Sequence, residues 1–104
     1  MDHAVIAHLP LSNGDMGTEE ERDVIFLLED RLSAAIERAG AGEFDGNEFG
    51  AGECVLYMYG PDADRLYDTI VPHLQMAAAA RGGYAIKRYG EATDPSAREV
   101  RVAW

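Results

Sequence analysis

Glu53-Cys54-Val55-Leu56-Tyr57-Met58-Tyr59-Gly60-Pro61-Asp62 is the stretch on which the fold turns. After the leading acid, six apolar or aromatic residues run without a break, the composition and length of a strand. Gly60-Pro61 ends it, and Asp62 stands where the N-cap of a following helix is needed. Side chains of a strand alternate between faces, so Cys54, Leu56 and Met58 fall on one side and Val55, Tyr57 and Tyr59 on the other. The small and flexible first set suits a face packed beneath helices. Tyr57 and Tyr59 are therefore expected on the opposite, uncovered face.

Toward the C-terminus, residues 63–80 place Leu66, Tyr67, Ile70, Val71, Leu74 and Ala77/Ala78 at helical spacing, a second helix. Pro72 lies inside that pattern, where it removes the bond to the Asp68 carbonyl and predicts a kink. Gly82-Gly83 closes the element. Residues 84–89 read as a strand, 90–97 as a polar loop, and 99–104 as a last strand with Val100, Val102 and Trp104 on one face. In the other direction, Gly50-Ala51-Gly52 joins the central strand to residues 43–49, a first hairpin arm in which Asp45-Gly46 predicts a bulge or early turn. Upstream, Thr18-Glu19-Glu20-Glu21 forms a capping box: the Thr18 hydroxyl accepts from the Glu21 amide and the Glu21 carboxylate returns the bond. Ile25, Leu28, Leu32, Ala35, Ile36 and Ala39 make the apolar stripe of the first helix, which Gly40 and Gly42 terminate. Residues 4–11 are strand one, with Val5, Ala7 and Leu9 on one face and Ala4, Ile6 and His8 on the other. Residues 12–17, with two glycines and an aspartate, are expected to be a mobile loop.

The resulting order, β-α-β-β-α-β with one extra C-terminal strand, resembles the ferredoxin-like α+β sandwich over nearly the whole chain. The resemblance implies two helices on one face of a four-stranded antiparallel sheet, with the other face left for something else. It is carried by element order, which many unrelated functions share. Gly42-Glu43-Phe44-Asp45-Gly46-Asn47-Glu48, together with residues 56–64, also looks like a block that recurs in small uncharacterised bacterial proteins, and it implies no activity. At 104 residues the chain is expected to form one α+β domain, 1–104, with a single core.

The net charge of −10 is the most unusual bulk property. It is uneven: residues 1–80 hold four basic and sixteen acidic residues, whereas 81–104 hold five basic and three acidic ones. Such an excess repels phosphate backbones and anionic membranes, and it favours a basic protein partner or simply solubility. The single cysteine, Cys54, excludes an internal disulfide. The first eleven residues lack both a basic region and a continuous apolar core, which predicts no secretory signal, and the longest apolar run, residues 76–80, is far short of a membrane span. A cytoplasmic protein is expected.

Four residues on the open face, Tyr57, Tyr59, Tyr84 and Ile86, are the expected partner-binding set. The two-residue aromatic spacing on this strand resembles the stacking platform of RNA recognition motifs, but the segment here is acidic where those domains are basic, so no nucleic acid is expected. Glu43, Asp45 and Glu48, with Glu53, cluster in the hairpin. Glu43 and Asp45 could share a strand face and hold a hard cation, although the spacing is not that of an EF-hand; a charge-protected edge strand is the plainer reading. His8 is the one candidate general base, expected near Tyr57. Cys54 reads as buried and inert. None of the glycine-rich segments is followed by the Lys-Ser/Thr of a phosphate loop, and no cofactor is expected. Three functions fit: an acidic, non-catalytic interaction module with a basic partner, for example of the immunity or inhibitor type; a small-molecule or cofactor-free enzyme site in a sheet-helix pocket; and a structural or regulatory homodimer joined through the open face.

Overall fold

Alternation along the central stretch becomes two faces of one strand in the computed structural model, which describes residues 2–104. The strands are β1 (His3–Pro10), β2 (Glu43–Gly50), β3 (Glu53–Gly60), β4 (Tyr84–Arg88) and β5 (Glu99–Val102). The helices are α1 (Glu19–Ala39) and α2 (Ala63–Met76). The class is α+β: one five-stranded sheet of order β2-β3-β1-β4-β5, in which every neighbouring pair is antiparallel. The last strand pairs with β4 and not with the opposite edge.

Both helices cover the side carrying Val5, Ala7 and Leu9 of β1, Cys54, Leu56 and Met58 of β3, and Ala85 of β4. All seven are fully buried, against Ile25, Leu28, Leu32 and Ile36 of α1 and Leu66, Ile70 and Leu74 of α2. Burying a large apolar side chain contributes roughly 1.5–3 kcal/mol, so this layer is the main favourable term opposing chain entropy. Val102 and Trp104 pack on the same core, and the Trp104 indole N–H donates to the Ala80 carbonyl at 2.9 Å. They extend the covered face and leave the other side open.

Local chemistry sets the element ends. The capping box at α1 is complete: Thr18 accepts from the Glu21 amide at 3.1 Å, and the Thr18 amide donates to Glu21 at 2.9 Å. Asp62 accepts from the Asp64 and Arg65 amides at the start of α2. The bulge falls between Phe44 and Gly46, leaving Asp45 without a partner on β3. Helix two is shorter than its periodicity predicts. It ends at Met76, one turn past Pro72, and a short 3-10 turn at Ala78–Ala80 follows. Proline weakens the turn around it, and the alanine run has no large side chain to hold a further helical turn on the core. Residues 12–17, expected to be mobile, are tied down: Asn13 accepts from the Asp15 and Gly17 amides, Ser12 donates to Glu21 at 2.7 Å, and the Gly52 amide donates to Asp15 at 2.9 Å. Among the described residues no helix is long and apolar enough to cross a membrane.

Candidate functional site

Strand register places the side chains of the uncovered face in rows. One row runs Tyr57, Ile6, Ile86, Arg101 across β3, β1, β4 and β5. The next runs Glu48, Val55, His8, Tyr84, and the one on the other side Glu43, Tyr59, Ala4, Arg88, Glu99. All four expected partner-binding residues, Tyr57, Tyr59, Tyr84 and Ile86, therefore stand on this face, each partly exposed. Ala4 and Val55, between larger neighbours, are already closed off from water at 0% and 9% exposure.

Polar and aromatic groups on the face are joined to one another. His8 Nδ1 lies 3.1 Å from Glu53 Oε1, so the carboxylate holds the donating hydrogen on that nitrogen. The imidazole stacks on Tyr84 at 4.6 Å with the rings within 7° of parallel. Arg101 covers the other face of Tyr84, its guanidinium carbon 3.7 Å from the ring centroid. Glu53, His8, Tyr84 and Arg101 thus form a ladder over four adjacent strands. Tyr57 donates to Glu48 at 3.3 Å, and burial, with the Glu48 charge, pushes its phenol above the usual range. His8 and Tyr57 share this face as diagonal neighbours, since His8 pairs with Val55 and Tyr57 with Ile6 one row away. A carboxylate-oriented imidazole is the arrangement a general base needs; here the ring is also stacked on Tyr84 on a broad sheet surface.

The unequal distribution of charge along the chain becomes a separation in space. Strands β4 and β5 form one side of the sheet and carry Arg88 and Arg101 on the open face, with Glu99 held in register beside Arg88. Strands β2 and β3 carry Glu43, Glu48 and Glu53 on the other side. A band of Ile6, Tyr57, Tyr84 and Ile86 lies between them.

The hairpin carboxylates do not converge. Glu43 and Glu48 sit opposite Tyr59 and Val55, four positions and about 13 Å apart along β3. Asp45 is the bulge residue, so the alternation that would have put it beside Glu43 is broken there. Among the described residues no group of three or more His, Cys, Asp or Glu side chains could hold a metal ion. Cys54 is buried on the covered face; burial, reinforced by the charge of Glu29, pushes its thiol up to about 12. Glu29 itself is raised by burial and receives both bonds of the Asn47 amide, 2.8 and 2.9 Å, which fasten β2 to α1.

A second cluster escaped the sequence reading. Lys87 of β4 bonds Asp64 of α2 at 2.9 Å, Tyr89 donates to the same carboxylate oxygen, and the ammonium lies 5.3 Å from the Tyr67 ring. Asp64 is held below the usual carboxylate range, first by Tyr89 and then by Lys87. The signal was present: alternation from Ala85 puts Lys87 on the helix side, where an ammonium needs an acid and aromatic rings. The contacts clip α2 to β4.

No protein-family model matches the chain, and neither a curated protein nor a solved structure matches it.

Proposed function

We propose that this domain is a non-catalytic, cytoplasmic protein-interaction module whose working surface is the uncovered face of the sheet. The observation that carries the reading is the composition of that face: an apolar and aromatic band bordered by carboxylates on β2 and β3 and by guanidinium groups on β4 and β5. Interfaces are built this way, with an apolar centre that leaves water and a charged rim that orients the partner. Two pairs of titratable groups on the face are hydrogen-bonded to each other, His8 with Glu53 and Tyr57 with Glu48, which suits recognition better than turnover. The ferredoxin-like description is supported by the order β2-β3-β1-β4 and by both helices lying on one side, with β5 as an addition at the β4 edge. An overall charge of −10 favours a partner with basic groups, as in inhibitor or immunity proteins that are steered onto a basic site, and disfavours nucleic acid.

The test is site-specific photocrosslinking in native lysate. A benzophenone side chain at Tyr59, on the open face, is expected to yield a discrete protein adduct that weakens at high salt. The same group at Ser33, on the exposed side of α1, is the control. Equal adduct patterns at the two positions, or none at Tyr59, overturn the reading.

A further inference from the structure

The face that asks for a partner with basic groups over β2–β3 and acidic groups over β4–β5 is matched by the face itself. We infer that the partner is a second copy of this chain, docked face to face about a twofold axis that lies over β1 and runs parallel to it. The inference rests on the reading of the open face as a docking surface, but replaces the basic partner that the net charge favours with a second copy, whose own charge of −10 the local pairs must offset.

The geometry follows from the strand order. β1 is the middle strand of five, so a twofold axis along it lays β2 over β5 of the second copy, β3 over β4, and β1 over β1. Rows keep their height under this rotation. Tyr57 then faces Ile86, Ile6 faces Ile6, Val55 faces Tyr84, and Tyr59 faces Arg88 of the second copy. Glu48, in the row of Tyr84, meets Arg101, whose guanidinium leans over the Tyr84 ring. Because the interface is isologous, the Glu48–Arg101 pair occurs twice. At the outer rim Glu43 meets Glu99, also twice, with Arg88 beside Glu99 in register and Asp2 and Glu91 nearby, and on the axis His8 faces His8; these are the contacts the Glu48–Arg101 pairs must outweigh. A twofold axis perpendicular to the strands fails: it lays β2 over β2 and sets Glu43 against Glu48 twice. Aligned sheets pack about 10 Å apart with strands near 30° to one another, which the parallel axis and the ordinary strand twist provide.

Charge reversal on the two halves tests this arrangement and no other. By sedimentation velocity the wild-type chain is expected at twice its 11.3 kDa. Glu48→Arg and Arg101→Glu each create two like-charged contacts and are expected to lower the association constant by about tenfold or more. An equimolar mixture of the two variants restores opposite charges at both positions, and so does the double variant in a single chain; both are expected to recover the dimer. Recovery in the mixture also shows that each variant folds. Either variant remaining dimeric alone, or a mixture that stays monomeric, overturns the arrangement. A monomeric wild type that forms a Tyr59 crosslink to a different protein overturns self-pairing and leaves the docking face standing. A dimer indifferent to both reversals and without a Tyr59 adduct overturns both.

Discussion

The two sides of the sheet are made from the same strands and solve opposite problems. Beneath the helices, Leu56 and Met58 are sealed in a layer of aliphatic side chains, and their contribution is the removal of apolar area from water. On the other side, Tyr57, Tyr84 and His8 remain partly wet and are held by stacking, hydrogen bonds to carboxylates and a guanidinium lid. The first side makes the fold; the second inherits a shape from it and, on the function proposed above, offers that shape for recognition. The contrast teaches that the strands need not choose between stability and binding, because alternation hands each task to a different set of residues.

Breaking the contrast begins on the covered side. Leu56→Ala leaves a cavity among α1, α2 and β3 and is expected to cost roughly 2–5 kcal/mol in urea denaturation, with no change in what the open face binds. Tyr84→Ala removes the shared stacking partner of His8 and Arg101. It is expected to cost only about 1 kcal/mol in the isolated chain. If Tyr84→Ala proved as destabilising as Leu56→Ala, the open face would be part of the core and the division would fail. The smallest effect concerns the cap that starts α1. Bonds from the Ser12 hydroxyl and from the Thr18 amide hold the Glu21 carboxyl below its ordinary 4.5. A depressed acid contributes stability that is present above that ordinary value and lost as pH falls through the lower folded one. Glu21→Gln is therefore expected to flatten the fall of melting temperature below about pH 4.5, leaving the neutral range lower by the lost cap contacts. An unchanged acid limb would remove Glu21 from that balance.

Legibility in the sequence followed the same division. The stripe from Ile25 to Ile36, the capping box at Thr18 and the alternation through Met58 are local and periodic, and each is present as read. The bulge at Asp45 was legible as well, but its consequence was not, since one extra residue cancels the alignment that would have joined Glu43 and Asp45. Contacts across strands depend on register, which a single sequence does not state. The contacts of His8 with Glu53 and Tyr84, and the meeting of Asp64 with Lys87, are of that kind. The C-terminal part of α2 was misjudged because helical spacing in an alanine run continues on paper after the packing that sustains it has ended.

Where the chain leaves α1 and where it enters α2, two glycines cross. A side-chain carbon on Gly42 would come within 2.0 Å of the Tyr59 carbonyl oxygen, and one on Gly60 within 2.2 Å of that of Ala41. Arg65 donates to the carbonyls of Ala39 and Gly40 at this corner, and the Ala63 amide donates to His3 at 3.1 Å. At the far end a shallow cleft lined by Leu28, Arg31, Ala77 and Ala78 separates α1 from the end of α2, and Val24, Leu27 and Met76 are half or more exposed. The helical layer is thus riveted at one corner and loose at the diagonal one, like the jaws of a clothes peg. Amide protons near Ala78 should exchange through jaw opening, while those around Ala63 wait for the whole molecule to come apart.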